Sequence, residues 1–235
     1  MDKYDRCKGG LYGLLIGDAL GVPYEFHSAE QIPPYDEIEM IPPRGFRRTY
    51  TGVAPGTWSD DGAQMRVLPL ALWHTGTERE LVLDAHAQCV ITHGNLCNQV
   101  CCALYCLVAR FLLKGEAFPS ALEKAVSVLR EIYEEIPVYA QELEWSVRPE
   151  EPWIGQGSGY VVDCLRSAFM ILLRAESYEE AVKQAIQLGD DTDTTACVTG
   201  GLAGILFGFD AIPKRWYEAL RGKDEIVCMG KGNKD

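Results

Sequence analysis

Leu188-Gly189-Asp190-Asp191-Thr192-Asp193-Thr194 crowds three carboxylates and two hydroxyls into seven residues. It then opens a run, Asp193 to Phe207, of small and apolar residues at helical spacing. About 130 residues earlier, Trp58-Ser59-Asp60-Asp61 repeats the arrangement, again leading into Ala, Gly and apolar residues. Acid-rich turns that feed helices, with little strand-like alternation anywhere, make the chain all-α. Either cluster by itself reads as a helix cap, since Ser is a good N-cap and acids suit the positive end of the helix dipole. A cap needs one oxygen, whereas here five Asp and several hydroxyls are committed. Carboxylates this close repel one another unless a cation holds them together. Oxygen-only donors favour Mg²⁺, Mn²⁺ or Ca²⁺ over Zn²⁺.

The remaining residues set the bounds. At 235 residues the chain fits one domain, 1–235, with a sizeable core. A formal net charge of −12 disfavours general affinity for nucleic acid or anionic membranes. The start, Met1-Asp2-Lys3-Tyr4-Asp5-Arg6, does not read as a signal peptide. The apolar stretch Leu11 to Leu20 is broken by Gly13, Gly17 and Asp18 and is too short to cross a bilayer. A cytoplasmic protein is expected. Of nine Cys, five (Cys89, Cys97, Cys101, Cys102 and Cys106) crowd one helical region with no paired C-x-x-C knuckles. They read as small buried hydrophobes in a reducing compartment.

Helical spacing is expected for Lys3 to Leu20, Asp60 to Thr75, Glu78 to Thr92, Leu96 to Lys114 and Pro119 to Ile136. It recurs in Tyr160 to Arg174, Ser177 to Leu188, Asp193 to Phe207 and Pro213 to Leu220. Glycines in the first helix imply close packing. Val22 to Trp58, rich in Pro and Gly, is expected to be a long irregular excursion. Pro137 to Ser158 is expected to be broken again. Ser177-Tyr178-Glu179-Glu180 has the form of a capping box, and Pro213 suits a first helical turn.

Five ordered motifs resemble the ADP-ribosylglycohydrolase family. Gly10 to Glu25 is similar to its opening helix and following Glu, and Thr57-Trp58-Ser59-Asp60-Asp61 to its first metal motif. Ile91-Thr92-His93-Gly94-Asn95 and Gly157-Ser158-Gly159-Tyr160-Val161-Val162-Asp163 resemble internal signatures. Leu188 to Thr194 resembles the second metal motif. The resemblance implies a single orthogonal all-α helical domain holding two Mg²⁺ (Mn²⁺ also fits). Ser59, Asp60 and Asp61 would ligate on one side, and Asp191, Asp193 and Thr194 on the other. The sequence departs from the family twice: Ser59 stands where Thr is usual, and Gly62 replaces the Thr after the Asp pair. The chain is also shorter than many relatives, which implies reduced loops over the substrate.

The implied substrate is an ADP-ribosylated protein, or a small molecule carrying ADP-ribose. The reaction would be hydrolysis of the N- or O-glycosidic bond to the modified side chain, with arginine the favoured linkage. Hard cations there suit ribose hydroxyls and water activation beside an oxocarbenium-like transition state. The catalytic candidates are Glu25, Asp60 and Asp61, with Asp60 orienting water and Glu25 either ligating or moving a proton. A plain exposed acid is the other reading of Glu25. His93, Gly157, Ser158, Gly159 and Tyr160 are substrate-binding candidates. Free N–H groups of the glycine loop suit a diphosphate, although Tyr160 fits core packing equally well and His93 also reads as a helix-end residue. Asp18 and Asp163 read as structural acids bonding to backbone. Reversal of damage by an ADP-ribosylating toxin is a related role. The alternative is a non-catalytic module that binds ADP-ribose or an ADP-ribosylated protein. A purely structural role does not explain the retained acids.

Overall fold

The computed structural model describes residues 1–59 and 62–223. In chain order its helices are α1 (Lys3–Gly21), α2 (Ala63–Arg66), α3 (Leu68–Trp73), α4 (Glu78–Val90), α5 (Leu96–Leu113), α6 (Phe118–Tyr133), α7 (Pro137–Glu142), α8 (Val161–Leu172), α9 (Tyr178–Gln187), α10 (Thr192–Phe207) and α11 (Lys214–Ala219). Among the described residues there is no strand, only an isolated antiparallel bridge between Ser28 and Gly189. The all-α expectation holds.

One seam organises the fold. Gly9, Gly13, Gly17 and Gly21 recur every fourth residue along one face of α1, and α10 answers with Ala196, Gly200 and Gly204. A Cβ added at Gly9, Gly13 or Gly17 would strike the carbonyl oxygen of Gly204, Gly200 or Ala196, and one at Gly21 would strike the Thr192–Asp193 backbone. Backbone therefore lies on backbone, with the C-terminal end of α1 beside the N-terminal end of α10. The Thr192 hydroxyl donates to the Gly21 carbonyl at 2.9 Å and locks that end. Further along, the Tyr178 hydroxyl donates to the Gly13 carbonyl at 2.7 Å.

Helix α5 runs through the centre, with nearly every residue from Cys97 to Leu112 buried. By length and composition it would also pass for a membrane span, yet 83% of it is buried against the other helices. Asn95 caps it, its side chain accepting the Cys97 N–H at 2.9 Å. The eight described cysteines carry free thiols, seven of them buried, in keeping with use as small apolar residues. Cys228 lies outside the described residues.

Three element expectations need correction. The helix expected over Asp60 to Thr75 is split at Val67 into α2 and α3, because Pro69 has no N–H to continue the ladder. Pro137 to Ser158 is not broken throughout: Pro137 starts α7, and a five-residue π turn, Leu143–Val147, follows. Proline is well suited to a first turn, so here it begins a helix instead of interrupting one. At Ser177 the hydroxyl caps α9 by accepting the Glu180 N–H at 3.1 Å, but the Glu180 carboxylate reaches back to the Glu176 N–H at 2.9 Å, one residue beyond the reciprocal position. The Val22 to Trp58 excursion holds only three short 3-10 turns, as its Pro and Gly content implies.

Candidate active site

The turn before α10 takes its shape from Gly189 (φ +74°) and Asp190 (φ +59°), both left-handed. The Asp190 N–H donates to the His27 carbonyl at 2.7 Å, and the Phe26 N–H donates to the Asp190 carbonyl at 2.7 Å. This reciprocal pair straps the segment after α1 onto the turn before α10. Thr49 adds a second tie, its hydroxyl donating to the Glu25 carbonyl at 2.6 Å. As a result, carboxylate oxygens of Glu25, Asp191 and Asp193 lie within 4.8 Å of one another. Asp193 is buried and the other two are half-buried.

Asp191 caps α10, its Oδ1 accepting the Thr194 N–H at 3.3 Å, and Asp193 Oδ1 accepts the same N–H at 2.9 Å. At the opposite edge, buried Asp18 accepts the Ser59 N–H at 2.8 Å and the Ser59 hydroxyl at 3.1 Å. Asp18 is therefore the backbone-bonding acid that the sequence suggests, and it anchors the strand of chain entering the first motif. Asp60 and Asp61 lie outside the described residues.

The glycine loop is organised from within. The Asp163 carboxylate accepts the N–H groups of Gln156 at 3.0 Å and Ser158 at 2.8 Å, together with the Ser158 hydroxyl at 2.8 Å. Ser167 Oγ accepts the Gly157 N–H at 3.1 Å. These three amides are thus taken, and the open N–H cradle expected for a diphosphate is not present at them. The Gly157 carbonyl accepts the Asp191 N–H at 3.1 Å, which fixes the loop to the acidic turn. A Cβ at Gly159 would collide with the Asp191 carboxylate.

Beside the triad opens a cleft of about 320 Å³ lined by Gly62, His93, Asn95, Gly159, Tyr160 and Thr194, among others. Tyr160 is 61% exposed, so the core-packing reading fails for it. Its hydroxyl lies 3.8 Å from Cys97 Sγ, and this contact, with partial burial, pushes its pKa up to about 12. His93 is exposed, with Nδ1 2.7 Å from the Thr92 hydroxyl. Gly62 is the N-cap of α2 without a capping side chain, and a Cβ there would sit 3.4 Å from His93 Cε1. A larger groove of about 790 Å³ beside α6, lined by Glu123, Arg130, Glu131 and Trp153, contains none of the sequence-predicted site residues. Arg130 there bridges to Glu144 and Glu150, each at 2.7 Å.

Residues of the cleft that sequence reasoning passed over include Asn95, Asn98 and Gln64. Asn95 carried a usable signal, as a capping residue two positions after His93. Gln64 and Asn98 carried none, because a lone amide on a helix has no readable spacing.

Comparisons with known proteins bear on the family and the fold. A family model described as ADP-ribosylglycohydrolase matches residues 1–63 and 61–232. The two pieces meet where Gly62 replaces the family's Thr. An ADP-ribosylarginine hydrolase, Tri1, from Serratia proteamaculans is 23% identical over 305 positions, covering 98% of this chain and 79% of its own. That alignment is longer than the 235-residue chain, so the relative carries a substantial stretch with no counterpart here. The ADP-ribosyl-[dinitrogen reductase] glycohydrolase of Rhodospirillum rubrum is 29% identical, over 77% of this chain but only 59% of that protein. A solved structure titled as an ADP-ribosylglycohydrolase-related protein complex superposes with a TM-score of 0.70 at 23% identity, covering 97% of this chain and 96% of that one. At that identity the superposition speaks to the fold. The chain belongs to the ADP-ribosylglycohydrolase family, and the glycosidic-bond hydrolase class expected from its motifs stands with it.

Proposed function

We propose that this chain is a metal-dependent hydrolase that releases ADP-ribose from a modified protein side chain, with arginine the favoured linkage. The observation that carries the reading is the convergence of Glu25, Asp191 and Asp193 within 4.8 Å, although they come from opposite ends of the chain. Three hard oxygen donors at that spacing suit Mg²⁺ or Mn²⁺. Ser59, Asp60, Asp61 and Thr194 complete the proposed ligand set for two ions. Such ions supply electrostatic stabilisation and water activation. The protein's own groups do the rest. Asp191 and Asp193 hold the sugar side of the site against α10. Glu25, on the strapped segment, is placed to accept a proton from water or to take part in ligation. Tyr160 and His93 line the cleft where the rest of ADP-ribose would lie, with the Tyr160 hydroxyl protonated and able to donate.

The test is release of free ADP-ribose from arginine- and serine-ADP-ribosylated proteins, with Mg²⁺ and with chelator. Release from the arginine substrate alone, abolished by chelator and by Asp60→Ala or Asp191→Ala in folded protein, is the expected result. Full turnover in both variants would overturn the metal mechanism. Protection against an ADP-ribosylating toxin is a role within this reading. One observation favours a second reading: Gly62 offers no side chain at the break between the two matched pieces. A module that binds ADP-ribose without cleaving it would show tight binding with no product.

A further inference from the structure

Phe26, the residue after Glu25, has φ +61°, a left-handed conformation that a bulky residue adopts only under constraint. The constraint is the reciprocal strap, Phe26 N–H to Asp190 carbonyl and Asp190 N–H to His27 carbonyl, both 2.7 Å. The geometry turns the ring away from the core: Phe26 is 60% exposed. Tyr50, 44% exposed, meets it edge-on with ring centroids 6.4 Å apart. Tyr50 in turn follows Thr49, whose hydroxyl holds the Glu25 carbonyl. The neighbouring Arg48 donates to the Val53 carbonyl at 3.0 Å. Two exposed aromatics are thus built, at the expense of backbone strain, one residue from a carboxylate of the acidic triad.

We propose that Phe26 and Tyr50 form the acceptor-side shelf of the site and receive the planar guanidinium of an ADP-ribosylated arginine. This inference rests on the hydrolase reading and deepens it. Carboxylates that hold the ribose place its C1″ beside Glu25, and consecutive residues are only about 3.8 Å apart at their Cα atoms. On this proposal, the side-chain group bonded to C1″ falls beside Phe26. A guanidinium is planar, charged and weakly hydrated, so it stacks on aromatic faces. A serine linkage presents an alkyl oxygen, to which a ring offers no comparable attraction. The shelf thus selects linkage without touching the bond that breaks, which makes these specificity-determining residues.

The test compares Phe26→Ala, Phe26→Trp and Tyr50→Ala with the parent chain on arginine- and serine-linked ADP-ribosyl peptides. Free ADP-ribose affinity is measured alongside by calorimetry. We expect Phe26→Ala to lower kcat/KM for the arginine substrate about tenfold, chiefly through KM, and Phe26→Trp to restore it. Tyr50→Ala should give a smaller loss, and ADP-ribose affinity should stay unchanged in all three. Parent-like arginine kinetics in Phe26→Ala would overturn the shelf while leaving the hydrolase intact. A matching loss of ADP-ribose affinity would also overturn it, by moving the rings to the nucleotide side. Absence of ADP-ribose release from the parent chain overturns both readings together.

Discussion

Asp193 reaches the site from a seam in which α1 and α10 touch backbone to backbone, whereas Glu25 reaches it from an irregular excursion held by a few hydrogen bonds. Along the seam no side chain separates the helices, so Asp18, Gly21, Thr192 and Asp193 keep their places whatever the loops do. In the excursion, the two bonds to Asp190 and His27 and the Thr49 hydroxyl do the holding. A site built this way has one wall set by helix packing and one set by a few hydrogen bonds.

The largest expected effect tests the fixed wall. Asp193→Ala should cut ADP-ribose release about a thousandfold with little change in circular dichroism, because several kcal/mol of charge stabilisation leave with the carboxylate. Glu25→Ala, on the other wall, should cost about ten- to a hundredfold. The reverse order would break the comparison. Next comes the seam itself. Gly13→Val drives a branched side chain into the Gly200 carbonyl and should destabilise by about 3 kcal/mol or more in thermal or urea unfolding. Thr49→Ala in the excursion should cost about 1 kcal/mol. Equal losses from the two would mean that the seam is no stiffer than the loop.

Acid titration sharpens the contrast only if loss of fold is separated from protonation of the site. Burial pulls the His86 pKa down to about 4, with Nε2 2.8 Å from the Tyr133 hydroxyl. The unfolded chain takes up that proton near pH 6.5, so stability is full above 6.5 and falls as the pH drops towards 4. The slope is at most about 1.4 kcal/mol per pH unit. His86→Phe should flatten this part of the stability profile in melts between pH 4 and 7, far from the acids. A profile unchanged from the parent would assign the acid sensitivity elsewhere. On the glycine loop, Asp163→Ala frees two amides and should cost about 1–3 kcal/mol, raising KM more than it lowers kcat.

Much of this was legible in the residues. The acidic turn before α10, the capping role of Ser177 and the packing duty of the α1 glycines follow from local chemistry. Asp18 was readable as an acid bonded to backbone. Left unread were features that depend on distant partners. Asp163 was readable, like Asp18, as an acid bonded to backbone; what went unread is that the amides it takes from the first turn of α8 are those expected to stay open. Phe26 gave no sign at all, since nothing in its type or neighbours marks a left-handed backbone enforced by Asp190. The split at Val67 was within reach, as Pro69 names it.

The seam also has a consequence for how the chain comes into being. Gly9, Gly10, Gly13, Gly17 and Gly21 make α1 a poor helix alone, since each glycine costs about 0.5–1 kcal/mol relative to alanine. Its remedy, α10, leaves the ribosome nearly two hundred residues later, as the spacing of Gly9 and Gly204 requires. Helix α1, translated long before its partner, is therefore among the last segments to settle. Pulse-labelled amide exchange on stalled nascent chains should find α1 unprotected until Phe207 has emerged.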